Sequence, residues 1–233
     1  MSNTNPAKRD PGSGSTIKLT IFDCDGVILD SRAANAHLYN QFLLHFNKGT
    51  LTEEQIDYVH CHTLQESLEY LLHDDKQIQE AMGLWQQMDP QPLIDSLDLQ
   101  PGLLGCLKQL SPTYRTAIAT SRTRTMDQVM DRFGLKPYFE LVVTSLDVRH
   151  PKPHPESLNK ILAHFELTPE EACYIGDSDV DRETSEGAGV LFIAYRNEKL
   201  EADHHITHFD QLIPLLEQYS QMQAYHRPPI TRH

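Results

Sequence analysis

The most constraining feature of the chain is the stretch from Ile17 to Asp30, which reads IKLTIFDCDGVILD. Its apolar and β-branched first part, up to Phe22, predicts a buried strand. The strand ends at two aspartates separated by one residue, Asp23 and Asp25, and a glycine follows. Side chains alternate along an extended chain, so these two carboxylates face the same side. In open α/β sheets ligands bind beyond the carboxyl ends of the strands, which makes this end a candidate site.

The two carboxylates need a physical reason to lie together. Neighbouring carboxylates repel each other, which raises the pKa of at least one of them unless a cation lies nearby. A hard, oxygen-seeking ion such as Mg²⁺ would remove the repulsion and could also hold a phosphate. An ordinary strand followed by an Asp-Gly turn explains the same residues equally well. The local pattern alone leaves both explanations open.

Charge and composition limit the classes of partner. The 233 residues carry a net charge of −13, and this acidic excess disfavours a nucleic-acid backbone or an anionic membrane. No apolar run approaches the roughly 20 residues of a membrane span, and the opening residues lack the apolar core of a signal peptide. The four cysteines are far apart, which favours reduced, mostly buried thiols. We therefore expect a cytoplasmic monomer or homodimer that acts on small molecules, with flexible tails at residues 1–16 and 223–233.

The pattern changes from strand to helix after Ser31. Residues 33–98 carry apolar side chains at helical spacing, two candidate capping boxes at Thr52/Gln55 and Thr63/Glu66, and a proline-rich breaker at their end. This range reads as a helical insertion, which we call the cap. The flanking ranges 17–32 and 99–222 form the predicted core.

Strands and helices alternate after the cap, which is typical of an α/β fold with a parallel sheet. The predicted strands cover residues 116–120, 141–144, 172–175 and 190–194. Polar residues follow nearly every strand: Thr120-Ser121-Arg122 after the second strand of the sheet, RHPKPHPE after the third, and GDSDVD after the fourth. We expect these groups to meet at one edge of the sheet.

The order strand-DxDG, strand-TS, KPxP and strand-GDSxxD resembles the haloacid dehalogenase (HAD) superfamily. The position of the insertion is similar to that in its subclass with an α-helical cap, which contains phosphoglycolate phosphatases and β-phosphoglucomutases. Each motif is weak alone, but four in the right order make coincidence improbable. The resemblance implies a Rossmann-like core with a helical cap, and Mg²⁺ as the cofactor.

The resemblance also implies roles for four aspartates. Asp23 matches the nucleophile that forms an aspartyl-phosphate. Asp25 matches the general acid and base, and its backbone carbonyl also ligates the metal in this family. Asp177 matches the second carboxylate ligand, so the implied Mg²⁺ ligands are Asp23, Asp25 and Asp177. Asp181 is similar to the family's supporting acid. Capping of the next helix is the alternative role for Asp177.

Three further residues match the groups that hold phosphate in this family. Thr120 and the amide of Ser121 resemble the hydroxyl and N–H that stabilise the phosphoryl oxygens. Lys152, which lies between two prolines, matches the lysine that neutralises both nucleophile and phosphate. The alternatives are a polar strand end that caps the next turn, and a surface lysine.

Contacts to the rest of the substrate are predicted less directly. Arg122, with Arg124 and Arg149 nearby in the pattern, could contact a second acidic group. His60 and His62 fall where caps of this subclass often carry a specificity loop, and we expect them to line the substrate pocket. A plain helix-turn cap explains this pair almost as well, and no third ligand supports a metal site there.

The residues present narrow the reaction. Dehalogenases of the superfamily lack the second aspartate, because halide leaves without protonation, so Asp25 disfavours that activity. Phosphonate hydrolysis uses a cap lysine, but Lys48 and Lys76 lie outside the expected loop. A sugar phosphomutase would need basic cap residues. We therefore predict a Mg²⁺-dependent phosphatase of a small phosphomonoester, similar to phosphoglycolate or a sugar phosphate. A β-phosphoglucomutase-like isomerase and a non-catalytic binding protein remain alternatives.

Overall fold

A parallel sheet lies at the centre of the protein, whose computed structural model describes residues 16–226. The strands are β1 Leu19–Phe22, β2 Leu29–Asp30, β3 Asp98–Leu99, β4 Arg115–Thr120, β5 Leu141–Thr144, β6 Ala172–Gly176, β7 Leu191–Tyr195 and β8 His204–Ile206. Six of them form one sheet in the order β5-β4-β1-β6-β7-β8, and all its neighbours are parallel. The predicted α/β fold is confirmed.

Ten helices accompany these strands within residues 16–226. They are α1 Arg32–His45, α2 Glu53–Cys61, α3 Leu64–Leu72, α4 Asp75–Gln87, α5 Gln91–Asp95, α6 Leu103–Leu110, α7 Met126–Arg132, α8 Glu156–Phe165, α9 Asp179–Ala188 and α10 Leu212–His226. Two separate clusters of buried apolar side chains involve the sheet. Strands β1, β6 and β7 are buried along their whole length, so their sequences are continuously apolar instead of alternating.

The cap has its own hydrophobic cluster. Helices α1 to α4 bury side chains that include Phe42, Leu68 and Trp85 against one another. Both predicted capping boxes are present, at the starts of α2 and α3. The short strands β2 and β3 pair antiparallel where the chain leaves and re-enters the core, with Leu29 opposite Leu99. The sequence analysis did not predict this two-stranded ribbon.

Two features differ from the predictions. Strand β8 was missed because its residues HHI are largely polar, and it becomes a strand only by pairing with β7. Helix α10 continues to His226, so the C-terminal tail predicted from residue 223 begins too early. After Pro214 in the first turn of α10, the next proline in the sequence is Pro228, so no proline interrupts the helix before His226. The predicted tail residues 1–15 and 227–233 lie outside the described range.

The remaining composition-based expectations can be compared with the same range. No helix between residues 16 and 226 combines the length and apolar character needed to cross a membrane. All four cysteines are free thiols, and three of them are buried, as predicted.

Candidate active site

The turn after β1 brings two predicted residues to one edge of the sheet. Strands β1 and β6 are neighbours, and Asp23 N extends their ladder by donating to Ile175 O over 2.9 Å. Gly26 follows with φ of 85°, a left-handed conformation that favours glycine. A Cβ atom on Gly26 would lie 2.0 Å from Asp177 Oδ2. Glycine therefore allows Asp177 to approach the turn that carries Asp23 and Asp25.

Lys152 is the buried cation of the site. Its Nζ lies 2.7 Å from Asp23 Oδ1, 2.7 Å from Asp181 Oδ1 and 3.1 Å from Tyr174 Oη. The lysine is only 5% exposed. Burial disfavours the ammonium, but the charges of Asp181 and Asp23 outweigh burial and raise the pKa of Lys152 well above its ordinary value. This lysine is therefore a fixed positive charge beside Asp23, not a surface residue.

Asp181 holds Lys152 in position but does not itself line the inner pocket. Its carboxylate accepts hydrogen bonds from Ser178 Oγ at 2.6 Å and Tyr174 Oη at 2.7 Å. Burial raises the pKa of Asp181, but Lys152 and these donors outweigh burial and lower it. Ser178 and Asp181 form the capping box of α9, so Ser178 and not Asp177 caps this helix. Asp177 is thereby left available for another role.

Three carboxylates form a cluster that could hold a metal ion. Asp23, Asp177 and Asp181 each offer one oxygen, and these oxygens all lie within 4.8 Å of one another. Burial and the neighbouring acids raise the pKa of Asp177 well above its ordinary value. Burial likewise raises the pKa of Asp23 to about 7, against the opposing effect of Lys152. This all-oxygen donor set fits a hard divalent cation such as Mg²⁺, which would relieve the repulsion.

Asp25 forms a buried, two-pronged ion pair with Arg122. Arg122 Nε lies 3.0 Å from Asp25 Oδ2, and Nη2 lies 2.5 Å from Oδ1. Burial disfavours ionisation, but the charge and hydrogen bonds of Arg122 outweigh it and lower the pKa of Asp25 to about 2. Arg122 also donates to Thr125 Oγ1 at 3.1 Å. Sequence reasoning placed Arg122 near the substrate but missed its pairing with Asp25.

The end of β4 supplies polar groups without charge. Thr120 Oγ1 accepts a hydrogen bond from Arg122 N at 3.0 Å, which fixes the turn after the strand. Ser121 O accepts from Ser145 Oγ at 3.1 Å. Ser121 Oγ is buried and finds no hydrogen-bond partner within residues 16–226. A buried hydroxyl without a hydrogen-bond partner costs free energy, so a bound ligand is a candidate partner for Ser121 Oγ.

The two cap histidines differ in their contacts. His60 Nε2 lies 3.7 Å from Asp177 Oδ2, and burial lowers the pKa of this imidazole. His62 stacks on Tyr58 with ring centroids 3.8 Å apart, and its Nδ1 lies 2.8 Å from Tyr58 O. His60 thus faces the carboxylates, whereas His62 also terminates α2. Both histidines line the inner pocket, and His62 is also the C-cap residue of α2.

Two neighbouring spaces lie between cap and core. The inner pocket has a volume of about 70 Å³ and is lined by eight of the predicted residues. These are Asp23, Asp25, His60, His62, Thr120, Ser121, Arg122 and Lys152. The outer groove, about 970 Å³, is lined by Asp177 and shares His60, Cys61 and His62 with the inner pocket. The structure therefore brings the predicted residues together, with Asp181 directly behind them.

Several contributing residues were not singled out as such from the sequence. Tyr174 bonds both Asp181 and Lys152, and Asn35 Nδ2 lies 3.4 Å from His60 Nδ1. Arg124 was considered for substrate contact, but it donates to Met88 O at 2.6 Å and covers the Trp85 ring at 4.2 Å. Arg124 therefore joins the core to the cap. In the sequence, the signal for Arg124 was its position two residues after Arg122, near the end of β4.

Known proteins are similar to this chain in sequence and in fold. Residues 20–195 match the haloacid dehalogenase-like hydrolase family. A solved HAD-superfamily hydrolase of subfamily IA from Geobacter sulfurreducens is 35% identical, with coverage of 87% of this chain and 98% of that chain and a TM-score of 0.70. CbbY from Rhodobacter sphaeroides, solved with phosphate, is 18% identical over 84% of this chain and 96% of its own, with a TM-score of 0.68. At that identity CbbY shows the fold alone.

Two pyrophosphatases from Bacillus species are also similar to this chain in sequence. Pyrophosphatase PpaX of Bacillus pumilus is 26% identical over 179 residues, which cover 75% of this chain and 81% of PpaX. PpaX of Bacillus mycoides is 24% identical over 180 residues, or 76% of this chain and 83% of that protein. The resemblance first seen in four motifs thus extends over most of the chain. The chain belongs to the haloacid dehalogenase-like hydrolase family, and it is an enzyme of the phosphatase kind.

Proposed function

We propose that the protein is a Mg²⁺-dependent phosphatase that hydrolyses a small phosphomonoester through an aspartyl-phosphate on Asp23. The observation that carries this proposal is the position of Asp23. Its carboxylate is held by Lys152 at 2.7 Å, borders the inner pocket, and lies beside a second carboxylate, Asp25. A nucleophile, a fixed cation and an acid–base group therefore share one pocket.

The first step would form a bond between Asp23 Oδ and phosphorus, while the bond from phosphorus to the leaving oxygen breaks. Lys152 keeps one Asp23 oxygen oriented and balances the negative charge that gathers at phosphorus. Thr120 and Ser121 line the same pocket, and the unpaired Ser121 hydroxyl is a donor for a phosphoryl oxygen. Mg²⁺ held by Asp23 and Asp177, with the Asp25 carbonyl, would neutralise further charge between carboxylates and phosphate.

Asp25 would move the protons of both steps. It gives a proton to the leaving alcohol oxygen, and it then takes one from the water that attacks phosphorus and releases Asp23. The ion pair with Arg122 holds Asp25 ionised, with a pKa of about 2. That is the form needed to accept a proton in the second step. The first step needs a protonated Asp25, so Arg122 must turn from Asp25 toward an anionic group of the substrate.

The shape of the site supports a small substrate. The inner pocket, about 70 Å³, is much smaller than the outer groove, and it is lined by the charged groups that would hold a phosphoryl group. The leaving group would extend past His60 and His62 into the outer groove, which is about 970 Å³. A phosphoglycolate- or sugar-phosphate-like ester fits this division between a narrow polar pocket and a wide groove. Cap loops alone do not identify the ester.

The composition of the cap face disfavours the isomerase alternative. A phosphomutase must hold a second phosphate, and arginine or lysine serves that purpose best. The cap residues that line the inner pocket include no lysine or arginine. Incubation with glucose 1-phosphate separates the two reactions, because a phosphatase releases inorganic phosphate and an isomerase yields glucose 6-phosphate.

The direct experiment assays a panel of phosphate compounds with and without Mg²⁺. The panel contains phosphoglycolate, sugar phosphates, p-nitrophenyl phosphate and inorganic pyrophosphate, the last because relatives are pyrophosphatases. We expect phosphate release that depends on Mg²⁺ and is lost in Asp23→Asn. The matched control is Asp131→Asn, because the Asp131 side chain is 66% exposed, pairs with Lys136, and lines neither the inner pocket nor the outer groove.

The control should keep wild-type turnover. Wild-type turnover in Asp23→Asn would refute the covalent mechanism. An inert wild-type protein with every substrate would instead favour the non-catalytic alternative.

A further inference from the structure

A second group of metal-ligating side chains lies on the loop that carries Lys152. His150, His154 and Glu156 each offer one ligand atom, and these three atoms lie within 4.8 Å of one another. Both histidines are exposed and Glu156 is half-buried, so solvent reaches the group. None of the three lines the inner pocket or the outer groove. The phosphatase chemistry makes no use of this group.

We propose that His150, His154 and Glu156 bind a divalent transition-metal ion of the Zn²⁺ class, at a site separate from the carboxylate cluster. Two imidazoles and a carboxylate are a common protein ligand set for Zn²⁺, with water in the remaining position. Mg²⁺ prefers an all-oxygen shell and is not the expected ion here. The two sites therefore differ in the kind of cation they select.

The distances within the group suit such an ion. His150 Nδ1 lies 2.9 Å from Glu156 Oε2, and the two imidazole centroids lie 4.7 Å apart. Ligand atoms around a tetrahedral Zn²⁺ lie about 3.3 Å apart, given bonds of about 2.0–2.1 Å. An ion could replace the shared proton between His150 and Glu156 if these two atoms moved apart by a few tenths of an ångström. The ligand atom of His154, which lies within 4.8 Å of both, would move toward the same ion. Glu156 N donates to His154 Nδ1 at 3.3 Å, which leaves Nε2 of His154 for the ion.

The loop holds these side chains in place without a metal. Every second residue from 151 to 155 of this loop is a proline, namely Pro151, Pro153 and Pro155. The ring of each proline fixes its own φ angle. His154 N donates to Pro151 O at 3.0 Å and closes a turn around the lysine. Little backbone freedom remains to be lost when an ion binds.

Glu156 is anchored and ionised in the same loop. It accepts hydrogen bonds from Arg149 N at 2.9 Å and His150 N at 3.0 Å. The Arg149 amide and the His150 side chain lower the pKa of Glu156 to about 2. With this lowered pKa the Glu156 carboxylate is negatively charged at neutral pH and able to bind a metal cation. Glu156→Gln would disturb the loop itself, so the histidines are the better test positions.

The test is a calorimetric titration of the untagged, full-length protein with Zn²⁺ in the presence of saturating Mg²⁺, which occupies the carboxylate cluster. The variants are His150→Gln and His154→Gln. The matched control is His164→Gln, an exposed histidine on the following helix α8. We expect one Zn²⁺ equivalent to bind wild type and the control, and its affinity to fall at least about tenfold in both test variants.

Thermal melting gives a second readout and checks folding. The melting temperature without Zn²⁺ serves as each protein's own baseline, because His150 and His154 also form hydrogen bonds within the loop. Added Zn²⁺ should raise the melting temperature of wild type and His164→Gln more than that of His150→Gln and His154→Gln. Equal Zn²⁺ affinity in wild type and both test variants would overturn the proposal, as would an equal loss in His164→Gln. Neither outcome would bear on the proposed phosphatase reaction, because the assay contains no phosphate ester.

Discussion

Core and cap contribute different kinds of side chain to the inner pocket. Every aspartate, arginine and lysine that lines it comes from the core, at the ends of the parallel strands. The cap contributes neutral or weakly basic groups such as Asn35, Tyr39, His60 and Trp85. In the structure these charges are held in the core by buried ion pairs, Arg122 with Asp25 and Lys152 with Asp23 and Asp181. The cap can vary its shape and polarity without unbalancing those charges, so we expect chemistry to depend on the core and substrate choice on the cap.

The largest effect is expected from the core cation. Lys152→Met leaves Asp23 and Asp181 buried without their shared partner, which should destabilise the fold by about 3–5 kcal/mol. Turnover should fall by about 10³-fold, because the fixed positive charge at the phosphoryl group is lost. Urea unfolding and steady-state kinetics measure the two effects. Lys160→Met is the control, since Lys160 is exposed and contacts only a backbone oxygen, Asp147 O, among the described residues.

The second core prediction concerns proton transfer. Asp25→Asn should lower turnover by about 10²–10⁴-fold with alkyl phosphates. The loss should be smaller with p-nitrophenyl phosphate, because p-nitrophenolate leaves without a proton. Equal losses with both kinds of ester would contradict the role of Asp25 as the acid and would leave it only a structural partner of Arg122.

A third prediction uses pH to test the carboxylate cluster. Folding raises the pKa of Asp23 from 3.8 to about 7. The stability that this group contributes to the folded state is therefore fully present below about pH 4. Its contribution is lost as pH rises through 7, and Asp177 shifts in the same direction. Mg²⁺ bound to the ionised carboxylates would offset that loss. At 100 times its Kd it would add about 2.7 kcal/mol.

The measurement is the rise in melting temperature on adding Mg²⁺ at pH 8 and at pH 5. The rise should be larger at pH 8, where fewer protons compete for Asp23 and Asp177. Asp177→Asn should reduce the rise at both pH values. A larger rise at pH 5 than at pH 8 would show that the ion binds somewhere other than this cluster.

The smallest effects compare two capping boxes, one in each region. Thr63→Ala in the cap and Ser178→Ala in the core should each cost about 1 kcal/mol of stability. Only Ser178→Ala should also lower turnover, because Ser178 Oγ orients Asp181, which in turn holds Lys152. Urea unfolding and kcat for both variants provide the comparison. An equal fall in kcat for Thr63→Ala would mean that chemistry also depends on the cap helices.

The sequence predicted the positions of strand ends better than the pairing of side chains. Asp23, Thr120 and Asp177 follow apolar strands, and parallel topology alone brings such ends together. The ion pair of Arg122 with Asp25 depends on how each side chain leaves its turn, which no spacing encodes. Tyr174 looked like any buried strand residue, because its partners Asp181 and Lys152 come from other segments. Side-chain contacts between segments that are distant in sequence therefore became known only from the three-dimensional structure.

The ribbon of β2 and β3 has a consequence for how interchangeable the cap is. Leu29 lies opposite Leu99 and Asp30 opposite Asp98, so the chain leaves and re-enters the core at adjacent points. An insertion whose two ends meet can be exchanged for a different one without stretching or reordering the sheet. The segment between the ribbon strands, residues 33–97, could therefore be replaced by another helical bundle. The buried ion pairs of the core would remain, while the cap side of the inner pocket would be rebuilt with a different specificity.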